Sequence, residues 1–214
     1  MQRRTLLIRA GAGMLAVAAL PLRTALADDD MPPPAPMPAP APIAPASSSA
    51  NPGLQVDVRR DQGKAYPVFT VKARIVTTAP LQRVWDVLTD YDRLADFVPD
   101  LTSSRLVARD GDECIVAQEG FGQFLFIKQP VHLLVRVVET PVSTIQVTLV
   151  KGNMHEYSAD WALNTIDSAM TQIDYDATIA PMFYVPSLFG AALMKRDLRN
   201  MLAGMVREME KPAK

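Results

Sequence analysis

The chain has one cysteine and two histidines in 214 residues. A lone Cys114 cannot form an intramolecular disulfide, so stability must come from a packed core. It has no neighbouring histidine to activate it, and its expected place is a half-buried strand position. His132 and His155 are too far apart to make a ligand set with it. His155-Glu156 begins like a zinc HExxH, but Ala159 stands where the second histidine belongs. No metal site and no cofactor are therefore expected. A G-x-S-x-G elbow, a P-loop and a G-x-G-x-x-G turn are all missing. Basic residues are not in excess: 22 Lys and Arg stand against 23 Asp and Glu, which argues against a nucleic-acid partner. No apolar run reaches the ~20 residues of a membrane span.

What is present begins with a leader. Residues 1–27 carry Arg3 and Arg4, an uncharged and mostly apolar stretch over 11–22, and the small-x-small sequence Ala25-Leu26-Ala27. This pattern is expected to be a secretory signal peptide of the twin-arginine type, with the periplasm as destination. No cysteine follows the apolar stretch, so no lipoprotein anchor is expected. Its loss would leave 18 basic against 23 acidic residues, because Arg3, Arg4, Arg9 and Arg23 all lie in it. Residues 28–54 come next, and nine of the 18 prolines fall between Pro32 and Pro52. Such a segment forms neither helix nor ladder and reads as an extended spacer.

The remaining 55–211 is long enough for a real core. In VFTVKARIV, Phe69, Val71, Ala73 and Ile75 alternate with polar residues, a strand period. Leu81, Val84, Trp85 and Leu88 then share one helical face, with Thr78 as expected N-cap and Pro80 in the first turn. In TDYDRLADFVPDL, Asp90 is expected to cap a second short helix. Tyr91, Leu94 and Ala95 face inward on it, and its acidic residues face water. Pro99 stops that helix. Strands follow: 101–109, a turn at Asp110-Gly111, then 114–118. A long strand over 124–139 is interrupted by Pro130. Three more are centred on Val147, Trp161 and Tyr175. Asp174 and Asp176 alternate with Ile173, Tyr175 and Ala177, which reads as a solvated outer face. From Ser187 or Pro186, a long helix carries Ala191, Met194, Leu198, Met201, Leu202, Met205 and Met209 on one stripe.

This order is an α+β layout whose sheet must be covered by the last helix. The patterns TTAPLQRVWDVLTDYDRLADFVPDL, YSADWALN and TQIDYDATIAPMFYVP, with the final helix, resemble the START-related helix-grip superfamily (SRPBCC) over about 70–211. The branch they resemble most is that of the polyketide cyclase/dehydrase and coenzyme Q-binding START domains. The resemblance implies a curved antiparallel sheet of about six to seven strands wrapped round a long C-terminal helix, with two short helices after the first strand. It also implies a deep apolar cavity between sheet and helix, and no particular reaction.

On that fold, the cavity residues expected from the strands and short helices are Trp85, Phe97, Val98, Phe126, Arg136, Val147, Trp161 and Tyr175. Leu188, Ala191, Met194 and Leu198 are expected from the helix side. Phe97 and Val98 would form an apolar gate at the rim. Family cyclases orient polyketides with cavity Arg and Tyr side chains, which singles out Arg136 and Tyr175. For these two the sequence leaves both placements open, cavity or not. No catalytic residue is assigned. Three functions follow: a non-enzymatic binder of a lipid, quinone or similar molecule, with transient contact at a membrane surface; a cyclase/aromatase-like enzyme; or an envelope accessory protein acting on a protein partner. The short supply of titratable groups favours the first.

Overall fold

The computed structural model describes residues 53–61, 65–124 and 127–212, without the side chains of 124 and 127. The leader, nearly all of the proline-rich spacer and Phe126 lie outside the described residues. Eight strands form one antiparallel sheet. They are β1 (Leu54–Asp61), β2 (Val68–Thr77), β3 (Leu101–Asp110), β4 (Glu113–Phe124), β5 (Ile127–Thr140), β6 (Thr144–Gly152), β7 (Met154–Thr165) and β8 (Thr171–Pro181). The helices are α1 (Leu81–Thr89), a 3-10 turn (Tyr91–Arg93), α2 (Leu94–Phe97) and α3 (Gly190–Met209). The spatial strand order is β1-β2-β8-β7-β6-β5-β4-β3. Consecutive strands pair as hairpins except where β2 closes on β8, which encloses the chain between them.

The period-two patterns become the sheet's inner face. Phe69, Val71, Ile75, Val135, Val137, Ile173 and Tyr175 are buried there. The alternate positions meet solvent, where Asp174 pairs with Arg74 and Asp176 with Lys72. Gly111 has φ of +56° between the paired residues Asp110 and Glu113, a left-handed turn position that suits glycine. Pro130 sits in β5 opposite Phe121, beyond the stretch of β5 that pairs with β6. Its missing N–H therefore breaks no ladder on that side.

Several local expectations are corrected. β1 was not anticipated as a strand; only half of its alternation is buried, which weakens the pattern. Thr78 does not cap α1. Pro80 occupies that position without a side-chain cap. Instead Thr77 Oγ1 and the Thr78 amide both donate to Glu210 Oε1, at 3.1 and 3.2 Å, so the far end of α3 holds the chain there. Asp90 likewise makes no side-chain cap; its carboxylate pairs with Arg93. The last helix starts at Gly190, not at Ser187 or Pro186.

α3 is attached to both arms of the sheet. Arg199 donates to the Leu54 carbonyl of β1 at 3.0 Å. Arg196 donates to the Gln123 carbonyl of β4 at 3.0 Å, and the Gln123 amide donates to Asp197 at 3.1 Å. The buried stripe Met194, Leu198, Leu202, Met205 and Met209 faces the core, as its spacing requires. Near its end α3 passes close to α2: a methyl group at Gly204 would lie 2.5 Å from the Phe97 carbonyl oxygen.

That approach decides the sign of a substitution. In an open helix Gly→Ala gains ~1 kcal/mol. Here the methyl meets backbone and the Pro99 ring, and overpacking costs about 1–3 kcal/mol. Gly204→Ala is expected to lower Tm by roughly 2–6 °C in thermal unfolding followed by circular dichroism. An unchanged or raised Tm would show that α3 can slide away from α2.

Candidate functional site

Two adjoining chambers separate α3 from the sheet. The outer one, about 210 Å³, lies among β4, β5, β7, β8 and α3. Leu133, Met154, Ile179, Phe183, Met194 and Leu198 supply much of its apolar wall. The inner one, about 120 Å³, is walled by Val116, Val135, Ile145, Val147 and Trp161 from the sheet, and by Leu88, Leu94 and Met205 from the helices. Val98, Leu101, Gln118, Tyr157 and Met201 line both. Singly, neither reaches the ~300 Å³ of a small-molecule pocket; joined, they do. The flexible side chain of Met201 stands where they meet.

The polar groups of the inner chamber are few. Tyr175 is buried under Trp161, with ring centroids 4.3 Å apart and planes tilted by 50°. Its hydroxyl interacts with that of Tyr157, and burial raises the pKa of both phenols. Both therefore stay protonated at neutral pH and offer uncharged hydrogen bonds. Gln118 adds an amide. Opposite it, across the β3–β4 pair, the buried Ser104 hydroxyl has no hydrogen-bond partner among the described residues. The outer chamber is different at its rim, where Asp100, Glu119 and Asp197 stand beside Phe121.

The expected cavity residues divide accordingly. Val98, Val147, Trp161, Tyr175, Met194 and Leu198 line the chambers. Trp85 is buried in the core beside them rather than on a described wall, and Phe97 and Ala191 pack against that core half-buried. Of the expected gate pair, only Val98 reaches the space. Leu188 is 86% exposed, because the helix that would have turned it inward begins two residues later. Arg136 lies on the outer face of β5, where alternation with buried Val135 and Val137 puts it. It donates to Glu113 and is half exposed. The Glu113 carboxyl is correspondingly held below its usual range by hydrogen bonding from Arg136. Gln118 and Tyr157 are not among the expected cavity residues, and Met201 is expected only as part of the methionine stripe of the last helix. Tyr157 was readable from its alternation with Trp161, and Met201 from the helical stripe.

One charged cluster sits against the inner chamber. The Glu139 carboxylate is buried at 7% exposure. Arg109 grips it with two nitrogens at 3.0 Å, the Tyr91 hydroxyl donates to it at 2.7 Å, and the Cys114 thiol donates at 3.4 Å. Burial alone would raise the Glu139 pKa, but the bonds from Arg109, Tyr91 and Cys114 outweigh it and the net shift is downward. Cys114 is pushed up to about 11 by burial and by its bond to that carboxylate. A thiol held there is no nucleophile. The cluster fastens the 3-10 turn, and hence one wall of the inner chamber, to β3, β4 and β5. Among the described residues no group of His, Cys, Asp and Glu could hold a metal ion.

A depressed carboxylate pKa stabilises the fold above the unfolded value near ~4.3, and that contribution is lost as pH falls through the lower folded value. Glu139→Gln is expected to cost about 1.5–3 kcal/mol at neutral pH in urea unfolding. The gap to the wild type should narrow steadily below about pH 4. A gap that is flat with pH would mean that the charge of Glu139 contributes nothing.

With this geometry in hand, likeness to other proteins is informative. No curated protein matches the chain in sequence. Solved structures do match in fold. A STAR-related lipid transfer protein from Xanthomonas axonopodis superposes with a TM-score of 0.61 at 17% identity, covering 74% of this chain and 94% of that one. Human StAR-related lipid transfer protein 5 gives 0.57 at 13%, covering 74% and 82%. The Zhui aromatase/cyclase from Streptomcyes sp. R1128 gives 0.56 at 16%, covering 67% and 94%. Carriers and a cyclase thus share the helix-grip fold seen here. Residues 77–206, more than half the chain, match the family described as polyketide cyclase / dehydrase and lipid transport, and the chain belongs to that family.

Proposed function

We propose that this chain is a non-catalytic binding domain that shelters an uncharged apolar molecule, a lipid or quinone bearing a carbonyl or hydroxyl, between α3 and the sheet. The observation that carries the reading is the pair of adjoining chambers, apolar except for Gln118, Tyr157 and Tyr175 in their depth. Neutral phenols recognise a neutral acceptor; a buried carboxylate or phosphate would need a cation there. Among the described residues, the walls of the inner chamber contain no histidine and no carboxylate. Its phenols are shifted away from any role as a base near neutrality. A cyclase reading rests on the named aromatase/cyclase neighbour, but the arginine it would use, Arg136, is engaged on the opposite face of the sheet. Residues 1–27 support a periplasmic site of action through their twin-arginine pattern.

Native mass spectrometry of protein purified from its own envelope is expected to show a co-purifying neutral lipid or quinone. Met201→Phe should close the passage between the chambers and weaken binding at least ~10-fold, with Tm within a few degrees of the wild type. Trp161 provides a second readout: in a Trp85→Phe background its emission should change on ligand addition. Empty protein that shows no saturable response to any neutral lipid or quinone would overturn the reading.

For the export reading, N-terminal sequencing of the native protein should begin at Asp28. Replacing Arg3 and Arg4 by lysine should leave the precursor in the cytoplasm. A native protein that still begins at Met1 in the cytoplasm refutes it.

A further inference from the structure

Large apolar side chains are not exposed at random on this domain. Of those most exposed, Met182 (55%), Tyr184 (79%), Leu188 (86%) and Phe189 (57%) all lie in the eight residues joining β8 to α3. A cluster of this kind marks an interaction surface, whereas single exposed apolar residues need no explanation. The segment is also tied down. Val185 is buried, and the Pro186 carbonyl accepts from Arg60 at 3.4 Å and from the Gly190 amide at 2.8 Å. Val185 is therefore the anchor that turns its neighbours outward.

Position and charge identify the partner. Pro181 at the end of β8 and Phe183 in the segment line the outer chamber, and Phe121 on its opposite rim is 40% exposed. The exposed cluster therefore borders the mouth of the apolar space. From Ala177 to Met194 the chain has no charged residue, and Lys195 and Arg196 follow directly. Lys128 lies over the Phe121 ring at 5.7 Å. Apolar and aromatic tips with Arg60 bonded to their segment, and Lys195 next along the chain, match the acyl boundary and anionic headgroups of a bilayer. Arg196 and Asp197 pair with each other and cancel, and Lys128 stands at the far rim over Phe121, beside Asp100 and Glu119.

We infer that the 182–189 segment docks the domain on a lipid bilayer, with Tyr184, Leu188 and Phe189 inserted among the lipids and the chamber mouth facing them. An apolar cargo then passes between bilayer and chamber without crossing water. This docking rests on the apolar-cargo reading for its purpose but not for its evidence.

The test is flotation of the purified 28–214 chain with vesicles of phosphatidylethanolamine and phosphatidylglycerol, beside vesicles of phosphatidylcholine alone. Wild type should float with both, more strongly with the anionic mixture. The double variant Tyr184→Ser with Leu188→Ser should reduce flotation at least ~10-fold, since each residue withdraws a large apolar side chain from the bilayer. Neither residue lines a chamber, so quenching of Trp161 by a short-chain quinone should be unchanged in the variant. Flotation that is absent in the wild type, or retained in the variant, overturns the proposal. So does a wild-type dimer that the variant converts to monomer while flotation is nil, since the cluster would then serve a second copy. Flotation that depends on these two residues in a protein whose Trp161 responds to no quinone or lipid would sink the cargo reading and leave the docking surface standing.

Discussion

A single helix must cover one face of an eight-stranded sheet, and the rest of this structure follows from that mismatch. Eight strands at ~4.8 Å spacing are more than 30 Å across, while a helix with its side chains is ~10–12 Å wide. A flat sheet would leave most of its apolar face in water. The sheet instead curls until both arms reach α3, and the contacts are visible at each end: Arg199 to Leu54 on β1, Arg196 and Asp197 to Gln123 on β4. These bonds go to backbone groups, so they fix the helix against the chain path rather than against movable side chains. Glu210 completes the grip by holding Thr77 and Thr78 at the end of β2.

Curling solves coverage but not filling. A curved sheet closed over a straight cylinder leaves space on the side where the arms do not touch, and here that space is two chambers that share Val98, Leu101, Gln118, Tyr157 and Met201. Close packing elsewhere in the core makes this an exception that the sequence maintains. The inner chamber is bounded by Tyr91, whose hydroxyl is committed to Glu139 together with Arg109 and Cys114. Four polar groups thus satisfy one another at the chamber's edge and add no charge to its interior. The polarity that does face the space comes from Gln118 and the Tyr157–Tyr175 pair, all neutral.

Much of the fold was legible because its elements obey strong periods. β2, β7 and β8 alternate cleanly, and α3 shows its stripe of Met and Leu, so the strands, the long helix and their mutual faces could be assigned. The α+β class followed from element order. β1 was missed because it alternates over only its first half, and Leu54 was assigned to the spacer. The caps were misread for a different reason. Thr78 and Asp90 have the right chemistry for local capping, but Thr78 is held by Glu210, and a contact across more than a hundred residues leaves no local signal, while the Asp90 carboxylate pairs with Arg93 three residues on instead of with the backbone. Within the site, Tyr175, Trp161, Val147, Met194 and Leu198 could be placed from alternation and helical spacing. Arg136 could have been excluded by the same rule, since it alternates with Val135 and Val137. The family expectation pulled it inward, and the pleat pushed it out. Glu139 obeys that rule too, but a buried carboxylate is credible only once Arg109, Tyr91 and Cys114 are seen around it, from three other elements.

The start of α3 at Gly190 rather than Ser187 has consequences beyond a boundary. Had the helix begun earlier, Leu188 would have pointed down the stripe into the chamber and the mouth would have been narrower. Instead the backbone stays irregular through Pro186, with its carbonyl held by Arg60 and the Gly190 amide, and Leu188 and Phe189 stand outside. The late helix start thus widens access to the cavity and places apolar side chains around that access. An apolar molecule gains little from a pocket it must cross water to reach, because the free energy that would drive it into the pocket also holds it in the membrane. On the docking proposed above, a mouth rimmed with side chains at home in lipid shortens that crossing, and one local feature of the chain then serves both the chamber and its supply.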